Sequence, residues 1–132
     1  MSQGMCLIRR RAGVLCLLLA SMTSAHAAVP EGQWSGVLKG GDRALRVVAT
    51  RDGESLTLRF GEPGNCTVPA EVLDEDAASA VFRFNLSTNG GALCVSLYPG
   101  EVRARSEAGT LHLAFTNKGL DWAGALAPLD SP

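Results

Sequence analysis

Apolar and polar residues alternate along most of this chain, and each run of alternation is cut short by a turn signal. Ser55–Phe60 sets Leu56, Leu58 and Phe60 on one side and Ser55, Thr57 and Arg59 on the other. Ala80–Leu86 does the same with Phe82, Phe84 and Leu86 against Arg83 and Asn85, and Thr110–Phe115 follows with Leu111, Leu113 and Phe115. A period of two is the pattern of a strand with one dry face and one wet face. Between the runs sit clusters of Gly, Pro, Asn and Asp, the residues that tight turns require. The spacing predicts about nine short strands, joined mostly as hairpins, and no stretch carries a helical period.

Two hairpins can be paired residue by residue. With Asp52-Gly53 as a two-residue turn, Arg51 faces Glu54, Leu45 opposes Phe60, Val47 opposes Leu58 and Ala49 opposes Leu56. This register sets Arg46 directly opposite Arg59 on the outer face, an unfavourable like-charge pair. With Ala108-Gly109 as the second turn, Ala104 opposes Leu113 and Val102 opposes Phe115.

The phrase Trp-x-Gly-x-Leu occurs twice, as Trp34–Leu38 and as Trp122–Leu126. A meander of strands leaves two edges of unpaired backbone groups, and closure into a barrel removes both. The repeat reads as the two sides of one seam, with Trp34, Gly36, Trp122 and Gly124 on it. A large ring beside a glycine lets two backbones approach closely while the indole plugs one end. The expected fold is therefore all-β: a single small antiparallel up-and-down barrel of about eight to nine strands.

The chain's 132 residues divide into an export leader, 1–27, and one barrel domain, 28–132. Arg9, Arg10 and Arg11 precede the apolar run Ala12–Met22, which is too short to span a membrane. Ala25 and Ala27 then supply the small residues of a signal-peptidase site. Cleavage after Ala27 leaves nine basic and thirteen acidic side chains. That balance argues against nucleic acid or an anionic membrane as the main partner. Cys66 and Cys94 are the cysteines that remain, and in a periplasmic or extracellular chain they form one disulfide. Alternation through Ala92–Tyr98 turns Cys94 outward, whereas Cys66 shares a face with Val68. A bridge needs both on one side, which places Cys66 in the turn just before its strand.

Gly32-x-Trp34 at the start of a meander resembles the Gly-x-Trp signature of the lipocalin and calycin barrels. That resemblance implies a first-strand Trp closing the barrel floor, and a carrier of a small apolar ligand as one functional reading. The chain is short for a lipocalin, and Phe60, Phe82, Phe84 and Phe115 would fill its interior. Secreted lysozyme inhibitors built as small disulfide-bonded barrels are similar in size and compartment, but their binding-loop motifs do not occur here.

Candidates for chemistry are few. His112 is the single histidine after the leader and is expected on the outer face, beside Arg105 across its hairpin. A nucleophile–base set and a His/Cys metal site both lack members, so no catalytic residue, metal or cofactor is expected. Asp74–Asp76 reads as a solvated acidic turn without the spaced ligands of a calcium loop. The remaining feature is the outward arginines Arg46, Arg59, Arg103 and Arg105, whose forks suit an acidic protein surface or an acidic glycan. The expected function is a non-catalytic, inhibitor-like binding protein of the bacterial cell envelope.

Overall fold

The structure, a computed structural model, describes residues 28–129; the leader, its cleavage motif and residues 130–132 lie outside them. Eight strands run in order: β1 Gly32–Gly40, β2 Arg43–Asp52, β3 Ser55–Phe60, β4 Cys66–Glu75, β5 Ala80–Phe84, β6 Glu101–Glu107, β7 Thr110–Asn117 and β8 Leu120–Pro128. Each pairs antiparallel with the next, and β8 returns to β1, so the sheet closes into a barrel.

Four of the connections are two-residue turns, and their backbone signs explain their sequences. Ala108-Gly109 and Lys118-Gly119 both have positive φ throughout, the type I′ pattern; Gly41 and Gly53 supply the single positive φ of a type II′ turn. The β6–β7 register is as expected, with Val102 opposite Phe115 and Ala104 opposite Leu113. The β2–β3 register differs by two residues. Gly53-Glu54 is the turn, Asp52 stays in β2, and Val47 meets Phe60 while Ala49 meets Leu58. Glycine is the residue best able to take the positive φ at the first turn position, which moves the turn one residue on. Because the shift is even, every inward residue remains inward. Arg59 now faces Val48, so Arg46 and Arg59 are diagonal neighbours and do not stand directly opposed.

The seam is as the repeated phrase implies, with a more specific interlock. Gly36 stands opposite Leu126, and on the same register Leu38 stands opposite Gly124. The Gly of each phrase thus lies under the Leu of the other. A Cβ built on Gly124 would come within 2.3 Å of the Val37 carbonyl oxygen, and one on Gly36 within 2.8 Å of Leu126 Cδ2. The two indoles do not sit beside these glycines. Trp34 pairs with Pro128 at one end of the barrel, while the Trp122 ring covers Gly40 at the other.

The interior is packed. Phe60, Phe82 and Phe84, with Leu38, Leu56, Leu58, Leu111, Leu113 and Leu126, are at most 2% exposed. Phe115 meets Phe84 edge-on at 5.6 Å and stacks on Trp122 at 6.4 Å. Side chains of this size each contribute about 1.5–3 kcal/mol on full burial.

Ala92–Leu97, expected as a strand, is a short helix, α1. β5 and β6 already pair with each other, so this segment has no strand to pair with and meets its backbone hydrogen bonds locally. Its turn brings Cys94 and Leu97 to the same buried side. The Cys66–Cys94 disulfide is present. Cys66 is the first residue of β4 and points inward with Val68, so helical direction at Cys94, and not a turn position for Cys66, brings the sulfurs together. Leu86, expected inward, is 67% exposed. β5 ends at Phe84, and the chain then follows β4, with Asn85 N–H donating to Pro69 O and Thr88 N–H to Thr67 O.

Candidate binding surface

Arg46 on β2 and Arg59 on β3 are exposed and line one groove of about 450 Å³ on the outside of the barrel. Strand alternation turns Ser35, Val37 and Val48 to the same side. Beyond β3 the groove is walled by Asn65, Thr67 and Asn89. That wall is held firmly: Asn65 N–H donates to Gly61 O at 2.9 Å, and Asn89 Oδ1 accepts from Thr67 N–H at 2.9 Å. Gly61 N–H donates to the carbonyl of Arg46 at 3.0 Å, which ties the strand carrying one arginine to the loop after the other.

The ion pairs among the described residues are Arg51–Glu75, Arg105–Glu107 and the longer His112–Glu107 contact at 3.9 Å. Neither Arg46 nor Arg59 has a carboxylate within that range. The two residues are diagonal neighbours, about 7–8 Å apart at the Cα level, and among the described residues neither forms an ion pair. Such a pair can accept two carboxylates, or one carboxylate and a neighbouring carbonyl, through planar forks.

Arg103 and Arg105 do not belong to this groove. They lie on β6, four strands from β2 around an eight-strand barrel, so they point to the opposite side. A single flat partner cannot touch both pairs. Arg105 donates to Glu107, and the hydrogen bond from Arg105 is the main reason Glu107 is held below its ordinary value. His112 stands opposite Arg105, as its position in the hairpin implies, but is half-buried and not fully solvated. Of that group Arg103 alone lacks a carboxylate partner; it borders a shallow outer hollow of about 450 Å³ floored by Ala114, Ala123 and Gly124.

Trp34, Gly36, Trp122 and Gly124 are structural seam residues and take no part in the groove beyond Gly36 at its border. Asp74–Asp76 is no solvated turn throughout. A bulge between Val72 and Asp74 shifts the alternation, so Glu75 falls opposite inward-facing Ala80. Glu75 reaches Arg51, which sequence reading placed merely beside a turn. Arg51 is the one buried charged side chain among the described residues, at 8% exposure. Its Nη1 and Nη2 each donate to Glu75 at 3.1 Å, Nη1 also donates to Val29 O, and Nε donates to Gly53 O at 2.7 Å. The guanidinium lies over the Phe82 ring at 5.1 Å. The signal for Arg51 was present in its alternation with Leu45, Val47 and Ala49; the bulge that delivers Glu75 had none. Asp76 caps its turn, accepting from Ala78 and Ser79 N–H, and the Ser79 bond is the larger cause of its lowered pKa.

At the end bearing α1, Leu45, Leu93, Leu120 and Trp122 line a hollow of about 370 Å³ with Arg43 and Lys118 at its rim. Comparison of the chain with protein-family models, with curated proteins and with solved structures finds no match.

Proposed function

We propose that this protein is an exported, non-catalytic binding module, inhibitor-like in kind, and that it docks an acidic loop of a partner protein in the groove between Arg46 and Arg59. The observation that carries this reading is the pair itself: two exposed arginines, diagonal neighbours in one groove, with no carboxylate at ion-pair distance among the described residues. Folding alone gains nothing from that arrangement. The rigid polar wall of Asn65, Thr67 and Asn89 offers further donors and acceptors to a peptide backbone. The Cys66–Cys94 disulfide is compatible with an oxidising, extracytoplasmic compartment, where such a partner would be met.

The test is the double variant Arg46→Ser/Arg59→Ser. Its melting temperature should equal or slightly exceed that of the parent, because a repulsion is removed. Capture of the acidic partner from an envelope extract should weaken by about 2–5 kcal/mol if both charges pair in a desolvated interface. Association of the parent should slow as salt is raised. Equal capture by parent and variant would overturn the reading. An acidic glycan is distinguished by whether capture survives proteolysis of the extract.

The lipocalin-like carrier is the second reading, and the observation that favours it is the hollow at the α1 end. Its volume meets the lower limit for small-ligand pockets, about 300 Å³. A ligand there would lie against Trp122. Quenching of indole fluorescence by a small apolar acid, abolished in Trp122→Phe, would support this reading over the groove.

A further inference from the structure

We propose that the end of the barrel opposite α1 contains a binding site for an α-ammonium group, and that its occupant is the chain's own amine, freed at Ala28 by cleavage of the Ala27–Ala28 bond. The proposal rests on that cleavage position and is independent of the arginine groove.

The chain just ahead of β1 is fixed in place. Ala28 and Val29 are 3% and 1% exposed, respectively, although Pro30 and Glu31 beside them are exposed. The Ala28 carbonyl accepts from Ser106 N–H at 2.9 Å, and the Val29 carbonyl accepts from Arg51 Nη1 at 3.1 Å. The backbone N–H groups of Val29 and Ala28 lie near enough to the Glu75 carboxylate to help hold it below its ordinary value, less strongly than Arg51 does. Glu75 thus receives two bonds from Arg51 on one side and the start of the domain on the other. Side chains of the two are 7% and 19% exposed, which leaves little room for water to substitute.

Cleavage changes one atom of this arrangement. Water adds to the Ala27 carbonyl carbon, the C–N bond breaks, Ala27 departs as a carboxylate, and the Ala28 nitrogen becomes an ammonium at neutral pH. A neutral group with one donor is replaced, at the same position beside Glu75, by a cation with three. The charged groups around it favour that cation. Arg51 from β2 opposes it and is already paired. Glu75 from β4 faces it, and Asp52, Glu54, Asp74, Asp76 and Glu107 crowd the turns at this end, with Glu31 bonded to Gly53 N–H. Arg105, held by Glu107, is the other cation nearby. A cut after Ala28 would instead put the amine on Val29, whose nitrogen also lies beside Glu75.

The test uses the exported, processed protein. Its α-amine is acetylated in urea at mildly acidic pH, where Lys39 and Lys118 remain protonated, and the product is refolded and compared with mock-treated protein. Acetylation should lower the melting temperature by about 4–8 °C, and the difference should vanish in Glu75→Gln. Equal melting of the two forms, or an equal loss in both backgrounds, would overturn the proposal. If Glu75→Gln does not fold, the acylation rate of the Ala28 amine in native parent protein decides. A rate at least about tenfold below that of the urea-unfolded chain is expected for a paired amine, equivalent to one pH unit of protection; equal rates overturn the proposal. N-terminal sequencing separates the two premises. A processed chain that begins elsewhere removes the occupant, whatever the site can bind.

Discussion

Replacing Gly124 by alanine probes the seam at its tightest point. The added Cβ would lie 2.3 Å from the Val37 carbonyl oxygen, 2.9 Å from Leu38 Cδ2 and 3.1 Å from Leu38 Cα. A side-chain methyl can rotate away, but a backbone carbonyl of β1 moves only with its strand, so the two strands must separate. Overpacking of this kind costs about 1–3 kcal/mol, and contact with backbone puts Gly124 at the upper end. Against it stands the gain of about 0.4–1 kcal/mol from removing glycine's freedom in the unfolded chain. The net loss is about 2 kcal/mol, or about 8–16 °C in melting temperature for a domain of this size. Gly36→Ala should lose about half as much, because its nearest contact, at 2.8 Å, is the flexible end of Leu126. Thermal and urea unfolding by circular dichroism measure both. A Gly124→Ala protein that melts within about 2 °C of the parent, or above Gly36→Ala, would refute the seam as the source of tight packing.

Reduction of the Cys66–Cys94 bridge, or Cys66→Ser/Cys94→Ser, should lower the unfolding free energy by about 3–4 kcal/mol, the chain entropy of a loop with a separation of 28 residues, as read by urea titration. Glu75 is held below the usual 4.5 by the hydrogen bonds from Arg51, with burial acting in the opposite direction. The unfolded chain therefore binds more protons than the folded one in that range. The stability Glu75 contributes is full above about pH 4.5 and declines as pH falls through its lowered native value, so Glu75→Gln should flatten the acid limb of a melting-temperature profile. Deletion from Asp121 onward removes β8 and leaves β1 and β7 as edges; the product should aggregate or unfold in size-exclusion chromatography, and a cooperative soluble monomer would show β8 to be dispensable.

The strands and their closure were legible because each inward position repeats the same signal: Leu56, Leu58 and Phe60 could not sit elsewhere without leaving an apolar face wet. Two-residue slips are invisible to that signal. Asp52-Gly53 and Gly53-Glu54 bury the same set, and the choice between them lies in the sign of φ at Gly53. The helix at Ala92–Leu97 was hidden for a different reason. Six residues hold too few turns to show a period, and what forbids a strand there is the absence of a free neighbour, a property of the closed sheet. Gly91 marks the place in retrospect: its φ is +84°, and a Cβ on it would meet Cys66 Cβ at 2.6 Å. Within the candidate groove, outward Arg46 and Arg59 followed from alternation alone, while their separation from Arg103 and Arg105 depended on how far round the barrel each strand lies.

Closure has one further consequence. Leu129 N–H donates to Gln33 O at 2.8 Å, so the domain enters and leaves the sheet side by side at one end. β1–β8 is the one neighbour relation in the barrel between strands that are not consecutive in the chain. Joining residue 129 to residue 28 by a short linker would give every ladder a covalent connection, and the chain could be opened instead at Lys118-Gly119 without losing a strand pair. A circular permutant of that kind should fold to the same sheet. It would also carry a peptide bond where a chain cut at Ala27–Ala28 would have an amine, and so would lack whatever that amine contributes.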